Sequence, residues 1–201
     1  MTRKITRSPV RLHPASGVVP ADDLKAILRG ADELIMSGGR TLLAKILKGS
    51  KDKKILELGL QDCPVYGAFA GLSIDAVLGQ IDNAISEGYL SYEYDGRLPL
   101  LVYTEKGWEI EQETYAEELL QKLRTLAEGG ESTFDVATLK GRNRGMILLL
   151  LDMIEAQADE RFIPSLQKWS DVEVKKLRQR IAAAIRSIEA SLVLNARGRT
   201  T

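Results

Sequence analysis

The sequence predicts a mainly α chain with one small β-hairpin, in the order of a winged helix, followed by a helical extension. Helical apolar periodicity recurs between residues 20 and 87, and two β-rich runs then flank Asp95-Gly96. Asp-Gly between such runs is the strongest short-range hairpin signal a sequence can carry. Beyond residue 143 the helical pattern resumes and supplies the extension.

Taken in order, residues 1–19 hold Arg3, Lys4, Arg7 and Arg11 with little apolar content, and are expected to form a flexible basic arm. Pro20 suits a first helical turn, and Leu24, Ile27, Leu28, Leu34 and Ile35 repeat at helical spacing to about Met36. Ser37-Gly38-Gly39 stops that helix. A second spans about Arg40 to Lys48, with Leu42, Leu43, Ile46 and Leu47 facing inward. Gly49 ends it, and Ser50 is placed to cap a third from about Lys51 to Leu60. Ser73 caps a fourth, with Asp75 in its first turn, Ile74, Val77, Leu78, Ile81 and Ile85 on one face, and Gly88 at its end. With Asp95-Gly96 as a two-residue loop, Tyr94 faces Arg97, Leu90 faces Leu101, and Pro99 belongs to an edge strand. Thr104 then caps a helix reaching about Ala127, which completes a domain over residues 20–127. Residues 128–142 read as a linker and 143–195 as a helical hairpin, HEAT-like at most, with its turn at Phe162-Ile163-Pro164. Residues 196–201 read as a tail.

The composition is that of an ordinary globular chain, 44% hydrophobic and 28% charged. The apolar run Met146–Leu151 is far shorter than the ~20 residues a bilayer span requires. The basic first residues lead into no apolar core, so neither a secretory signal nor a membrane partner is expected, and the expected location is cytoplasmic. A net charge of zero hides asymmetry: residues 1–60 hold 12 basic against 6 acidic side chains, residues 61–140 hold 5 against 15, and residues 141–201 hold 11 against 7. A basic block of this kind suits nucleic acid or an acidic protein partner.

The most informative stretch follows Gly49. Helix first turns favour acids because the dipole leaves partial positive charge there, yet Ser50 is followed by Lys51, Lys53 and Lys54 against Asp52 alone. Capping amides, dipole and ammonium groups together would make an anion site, supported by Arg40 and Lys48 just before it. The hairpin tip offers Tyr94, Arg97 and Leu98, an aromatic beside a cation that could stack on an exposed base. The helix before the hairpin is the one that usually enters the major groove. Its outward positions are Asp75, Ala76, Gly79, Gln80, Asp82, Asn83, Ser86 and Glu87, without one basic residue. Carboxylates in a phosphate-lined groove are unfavourable, so helix-in-groove readout is not expected.

The region Arg40–Gly107 resembles the RQC domain, the winged-helix module that follows the helicase core in RecQ-type DNA helicases. The resemblance rests on Leu47-Lys48-Gly49-Ser50-Lys51 with Ile55, on Gly59-Leu60, Tyr66-Gly67, Leu72-Ser73 and Gly88-Tyr89-Leu90, and on Leu101-Val102-Tyr103-Thr104-Glu105-Lys106-Gly107. It covers about a third of the chain. It implies phosphate contacts at Ser50 and Lys51 and a wing, with its tip at Tyr94–Pro99, that wedges at a duplex end or fork. The chain departs from those helicases in having no Gly-x-x-x-x-Gly-Lys-Ser/Thr and a single cysteine, so neither an ATPase core nor a four-cysteine zinc subdomain is expected in it.

No catalytic constellation is visible. His13 is the sole histidine, Cys63 sits in a turn, and Glu109, Glu111, Glu113, Glu117 and Glu118 spread around a helix as a solvated surface. Trp108 and Trp169 read as core anchors. Neither cofactor nor metal is expected. The reading is a non-catalytic DNA-binding protein that recognises backbone and structure through Arg40, Lys48, Ser50, Lys51, Lys54, Tyr94, Arg97 and Leu98, with a helicase, nuclease or other protein as a possible partner. Two alternatives are a protein-interaction module in a DNA repair or defence assembly and a winged-helix transcriptional regulator.

Overall fold

A computed structural model describes residues 9–129 and 144–198. The chain divides into two compact units, residues 1–111 and 112–201. The linker expected at 128–142 and the basic run Lys140–Arg144, which could offer a second phosphate site, fall almost wholly outside the described residues.

The first unit holds α1 (Ala21–Asp32), α2 (Arg40–Lys48), α3 (Lys53–Glu57), α4 (Ile74–Ser86) and a hairpin of β1 (Leu90–Asp95) and β2 (Leu98–Tyr103). Its core is one cluster in which Ile27, Leu28, Leu43, Ile46, Leu47, Ile55, Val77, Ile81 and Leu101 are all fully buried. Helices followed by an antiparallel wing are the winged-helix order the sequence predicts. Helix α5 (Glu105–Glu128) begins in this unit.

Several helix ends follow local chemistry. The Ser73 side chain accepts from the Ala76 amide, and the Thr104 hydroxyl oxygen accepts from the Gly107 amide at 3.1 Å. Gly107 lies so close to Tyr89 that a Cβ on it would sit 1.9 Å from the Tyr89 carbonyl oxygen. Helix α2 ends at Gly49 in the left-handed conformation, where the Ser50 amide reaches the Lys45 carbonyl at 2.9 Å. Ser50 is therefore part of the close of α2 and does not cap α3. The cap is Asp52, whose carboxylate accepts from the Lys54 amide at 2.9 Å, and α3 is only five residues long.

The wing is also re-registered. Asp95 pairs with Leu98, Tyr94 with Pro99 and Leu90 with Tyr103, so the loop is Gly96-Arg97. Asp95-Gly96 as the loop would need positive φ at Asp95 as well, whereas here only Gly96 takes it (φ +59°). The base of β2 is held from its other side too. The Met36 amide donates to the Leu101 carbonyl at 3.0 Å and the Leu101 amide to Gly38 at 2.9 Å.

Three expectations fail for one reason, which is that polar side chains are buried by tertiary pairing that periodicity does not report. Asp82 and Asn83, read as outward on α4, are 1% and 6% exposed, and Gly79 beside them is buried. Residues 13–17, read as a flexible arm, lie across them. Glu111, read as solvated, is fully buried with its carboxylate 4.0 Å from the Arg29 guanidinium. Burial, and then the Glu111 carboxylate, push the Tyr103 phenol well above its ordinary value, and its hydroxyl donates to the Leu28 carbonyl at 2.8 Å. Conversely, Ile74, expected inside, is 40% exposed.

The second unit contains the rest of α5, then α6 (Arg144–Gln157), α7 (Ile163–Val172) and α8 (Lys175–Gly198), with α6 and α7 packed on α8. The expected helical hairpin thus has three helices. Pro164 begins α7 instead of marking a turn, because a first helical turn has no use for its missing amide. Phe162, Leu166 and Trp169 are buried, and the Trp169 indole donates to Glu173 at 3.0 Å. Arg180 of α8 is tied to Asp152 and Glu155 of α6.

Gly107→Ala should destabilise the chain by about 2 kcal/mol or more despite alanine's better helix propensity, since the clash is with backbone and the overpacking cost exceeds the ~1 kcal/mol propensity gain; urea denaturation followed by circular dichroism measures this. Arg40, whose guanidinium pairs with the buried Asp82 carboxylate, should cost more when removed. Arg40→Ala is expected to lose about 3–5 kcal/mol in the same experiment, because an unpaired buried charge remains.

Candidate nucleic-acid interface

The lysine-bearing turn is built on the end of α2. The segment after α3 folds back and satisfies the last carbonyls of α2: the Gly67 amide donates to Ile46 at 2.9 Å and the Phe69 amide to Leu47 at 2.7 Å. Contact is close because Gly49 and Gly67 meet backbone to backbone, where a Cβ on Gly49 would lie 3.0 Å from the Gly67 Cα. The Tyr66 hydroxyl donates to the Ser50 carbonyl at 3.0 Å and pins the turn from outside. Ser50 is half-buried, and its hydroxyl oxygen accepts from the Asp52 amide at 3.2 Å.

Charge in this turn is partly self-cancelling. Lys45 reaches Asp52 at 2.7 Å, and together with the Lys54 amide it holds the Asp52 carboxyl below the usual carboxylate range. A carboxylate therefore occupies the start of α3, and the expected convergence of free amides and dipole on an anion is not formed there. Positive charge comes from ammonium groups instead. Lys51 and Lys54 are exposed and make no salt bridge among the described residues, Lys53 is 87% exposed against Glu57 at 3.3 Å, and the Lys48 ammonium donates to the Ala70 carbonyl.

Part of the turn and the wing share one cleft of about 390 Å³, lined by Val10, Gly39, Arg40, Lys54, Tyr92 and Pro99. Two of the predicted site residues, Arg40 and Lys54, thus share this cleft with the wing residues Tyr92 and Pro99. The others divide: Lys48, Ser50 and Lys51 sit on the α2–α3 turn, while Arg97 and Leu98, the latter 64% exposed, form the wing tip with half-buried Tyr94 behind them. The Tyr92 phenol is pushed up to about 12, chiefly by burial, so it stays protonated.

Arg40 does not present its guanidinium freely. It binds both oxygens of Asp82, and the His13 amide donates to the same carboxylate at 2.6 Å. The Ala15 amide donates to the Gly79 carbonyl at 3.1 Å, and the Asn83 side-chain amide donates to the carbonyls of Ala15 and Gly17, each at 3.1 Å. Sequence reading missed this assembly. Its only trace is the trio Gly79, Asp82 and Asn83 at one helical face, a glycine beside a short carboxylate and a short amide.

Among the described residues no helix is long and apolar enough to cross a membrane. No solved structure matches the chain. Over 69 residues it is 36% identical to the ATP-dependent DNA helicase RecQ of Bacillus subtilis, a match covering 34% of this chain and 12% of that protein. A family model described as the RQC domain matches residues 21–123, just over half of the sequence and nearly all of the winged-helix elements. With fold, wing and motif order agreeing, the chain belongs to the RQC-domain family.

Proposed function

We propose that this chain binds DNA without catalysis, recognising backbone and structure, duplex ends or forks, instead of base sequence. Lys51 and Lys54, with Ser50 and Lys48 beside them, contact phosphates, and the wing tip of Tyr94, Arg97 and Leu98 meets an exposed base pair. The observation that carries this reading is the cleft that joins Lys54 to Tyr92 and Pro99 of the wing, so that one strand can touch lysine turn and wing together. Membership in the RQC-domain family supports DNA as the ligand. Arg40 serves this surface by position, since Asp82 occupies its guanidinium. A helicase, nuclease or other repair protein is a natural partner for a binding module of this kind, acting in the cytoplasm. The operator-binding regulator is disfavoured, because the usual reading face of α4 is acidic and covered.

Fluorescence anisotropy with single-stranded, blunt duplex and forked DNA tests the proposal. A Lys51→Glu/Lys54→Glu variant, shown to be folded by circular dichroism, should bind about 10- to 100-fold more weakly near ~100 mM salt. Wild type that binds no DNA under those conditions would refute the reading and favour the protein-interaction module. Log affinity should fall with log salt at a slope of about −4, as expected for four to five phosphate-neutralising cations. Arg97→Ala/Leu98→Ala should erase any preference for forked over blunt DNA while leaving duplex affinity within about threefold, because the tip adds a shape contact and only one charge.

A further inference from the structure

Helix α8 carries its unpaired charge on one side. Ile181, Ala184 and Ile188 are fully buried and fix the face packed against α6 and α7. At about 100° per residue the opposite face holds Lys175, Gln179, Ala182, Ala183 and Arg186, with Lys176 and Arg178 flanking it. Lys175, Lys176, Arg178 and Arg186 are exposed, and none of them makes a salt bridge among the described residues. Arg180, on the flank, is the cation of this helix that is neutralised, by Asp152 and Glu155. The acid of α8 is Glu189, which lies beyond Arg186, so about 16 Å of helix carries four cations with no carboxylate between them.

Local stability gives no reason for this arrangement. Lys175, Lys176 and Arg178 stand in the first turn, where helices favour acids. The carboxylate of Glu173, just before the helix, is directed back to the Trp169 indole at 3.0 Å and the Val174 amide at 3.3 Å. Elsewhere in the unit exposed signs are interleaved, as Glu118 and Lys122 are at 2.6 Å on α5. The ligand that suits such a face is a polyanion. Protein interfaces are anchored by aromatic and large apolar side chains, and membrane-surface helices insert them. The outward positions between Lys175 and Arg186 offer only Ala182 and Ala183, small enough for a phosphate backbone to approach the helix while the longer cations reach it from either side.

We propose that the outer face of α8 is a second DNA-backbone site, with Lys175, Lys176, Arg178 and Arg186 on phosphates. It lies outside residues 21–123, the part of the chain that the RQC-domain model matches. The inference rests on the DNA-binding reading for the identity of the polyanion and adds a separate contact to it. The winged helix meets a DNA structure, and α8 supplies a hold on backbone that depends on neither sequence nor shape. One chain thereby offers DNA two surfaces.

The test isolates α8 within the full chain. In the Lys51→Glu/Lys54→Glu variant the lysine turn no longer contributes. The affinity for a ~20-bp blunt duplex that remains near ~50 mM salt should come largely from α8, with a log–log salt slope of about −3. Adding Lys175→Gln/Lys176→Gln/Arg178→Gln/Arg186→Gln should weaken this remaining binding at least tenfold and bring the slope to about −1. Glutamine keeps helix propensity and relieves like-charge crowding, so the melting midpoint followed by circular dichroism should not fall. Lys176→Gln/Arg178→Gln alone should give about half of the change in slope. Lys122→Gln/Arg161→Gln removes the same charge from paired positions of the same unit and should alter affinity less than twofold. A loss below twofold on neutralising α8, or an equal loss from the paired control, overturns the site. Binding abolished by the lysine-turn changes alone, with no residue of affinity at low salt, refutes the α8 site and keeps the earlier reading. Binding that survives those changes undiminished and falls with the α8 changes refutes the lysine turn and keeps α8. Wild type that binds no DNA refutes both.

Discussion

The first unit depends on one buried charge. Asp82 is 1% exposed, and a carboxylate in that position is tolerable only with a cation and hydrogen-bond donors around it. Arg40, the first residue of α2, supplies the cation, and the His13 amide supplies a donor. Three parts of the chain that are distant in sequence are thereby held at one point: the start of α2, the middle of α4 and the segment before α1. Fixing the start of α2 also fixes its end, nine residues on, where the lysine turn begins. Gly39, just before Arg40, approaches the Pro99 carbonyl, so the same point aligns the start of β2 in the wing. The geometry of the candidate interface follows from a pair that itself faces inward.

What could be read from the sequence was what short-range chemistry determines. Ser73 and Thr104 cap their helices, Gly49 closes α2, and the two β-rich runs pair, because each of these outcomes is decided within a few residues. The hairpin register was not legible to the residue. Asp-Gly and Gly-Arg are both plausible loops, and the choice turns on positive φ at one residue or two and on bonds from Met36 and Gly38 to Leu101. The shift moves each cross-strand partner by two residues and so leaves every side chain on the face the expected register gave it, with Leu90 and Leu101 both buried. Asp52 is the α3 cap in place of Ser50 because the helix starts only at Lys53, which sets the Asp52 carboxylate against the Lys54 amide, while Ser50 closes α2 through its amide to the Lys45 carbonyl. The buried ionic residues Arg29, Glu111 and Asp82 lay beyond sequence reading altogether, since a charged residue at a surface-like position gives no sign that a partner will cover it.

The lysine turn illustrates how local charge is set by pairing instead of by count. Five lysines precede or surround Asp52, yet Lys45 is spent on it, Lys53 leans on Glu57 and Lys48 on a carbonyl. Lys51 and Lys54 remain as exposed ammonium groups on flexible stems. Such groups attract phosphate as point charges and impose little geometry on it, in contrast to the planar fork of arginine. The one arginine at the predicted contact surface that is free of Asp82, Arg97, stands at the wing tip.

Rigidity and mobility are accordingly divided between the two surfaces. The wing is held on both sides of Leu101, and its base is buried, so the tip carrying Arg97 and Leu98 is presented in a defined position. The lysines can follow a backbone whose path varies. In the proposed mode a stiff wing distinguishes one DNA shape from another, while adaptable charges supply affinity that does not depend on sequence. A helix reading bases would add a competing preference for particular sequences wherever the wing sought a structure. An α4 whose outer face is filled by the backbone of residues 13–17 removes that competition and leaves the wing to set the preference.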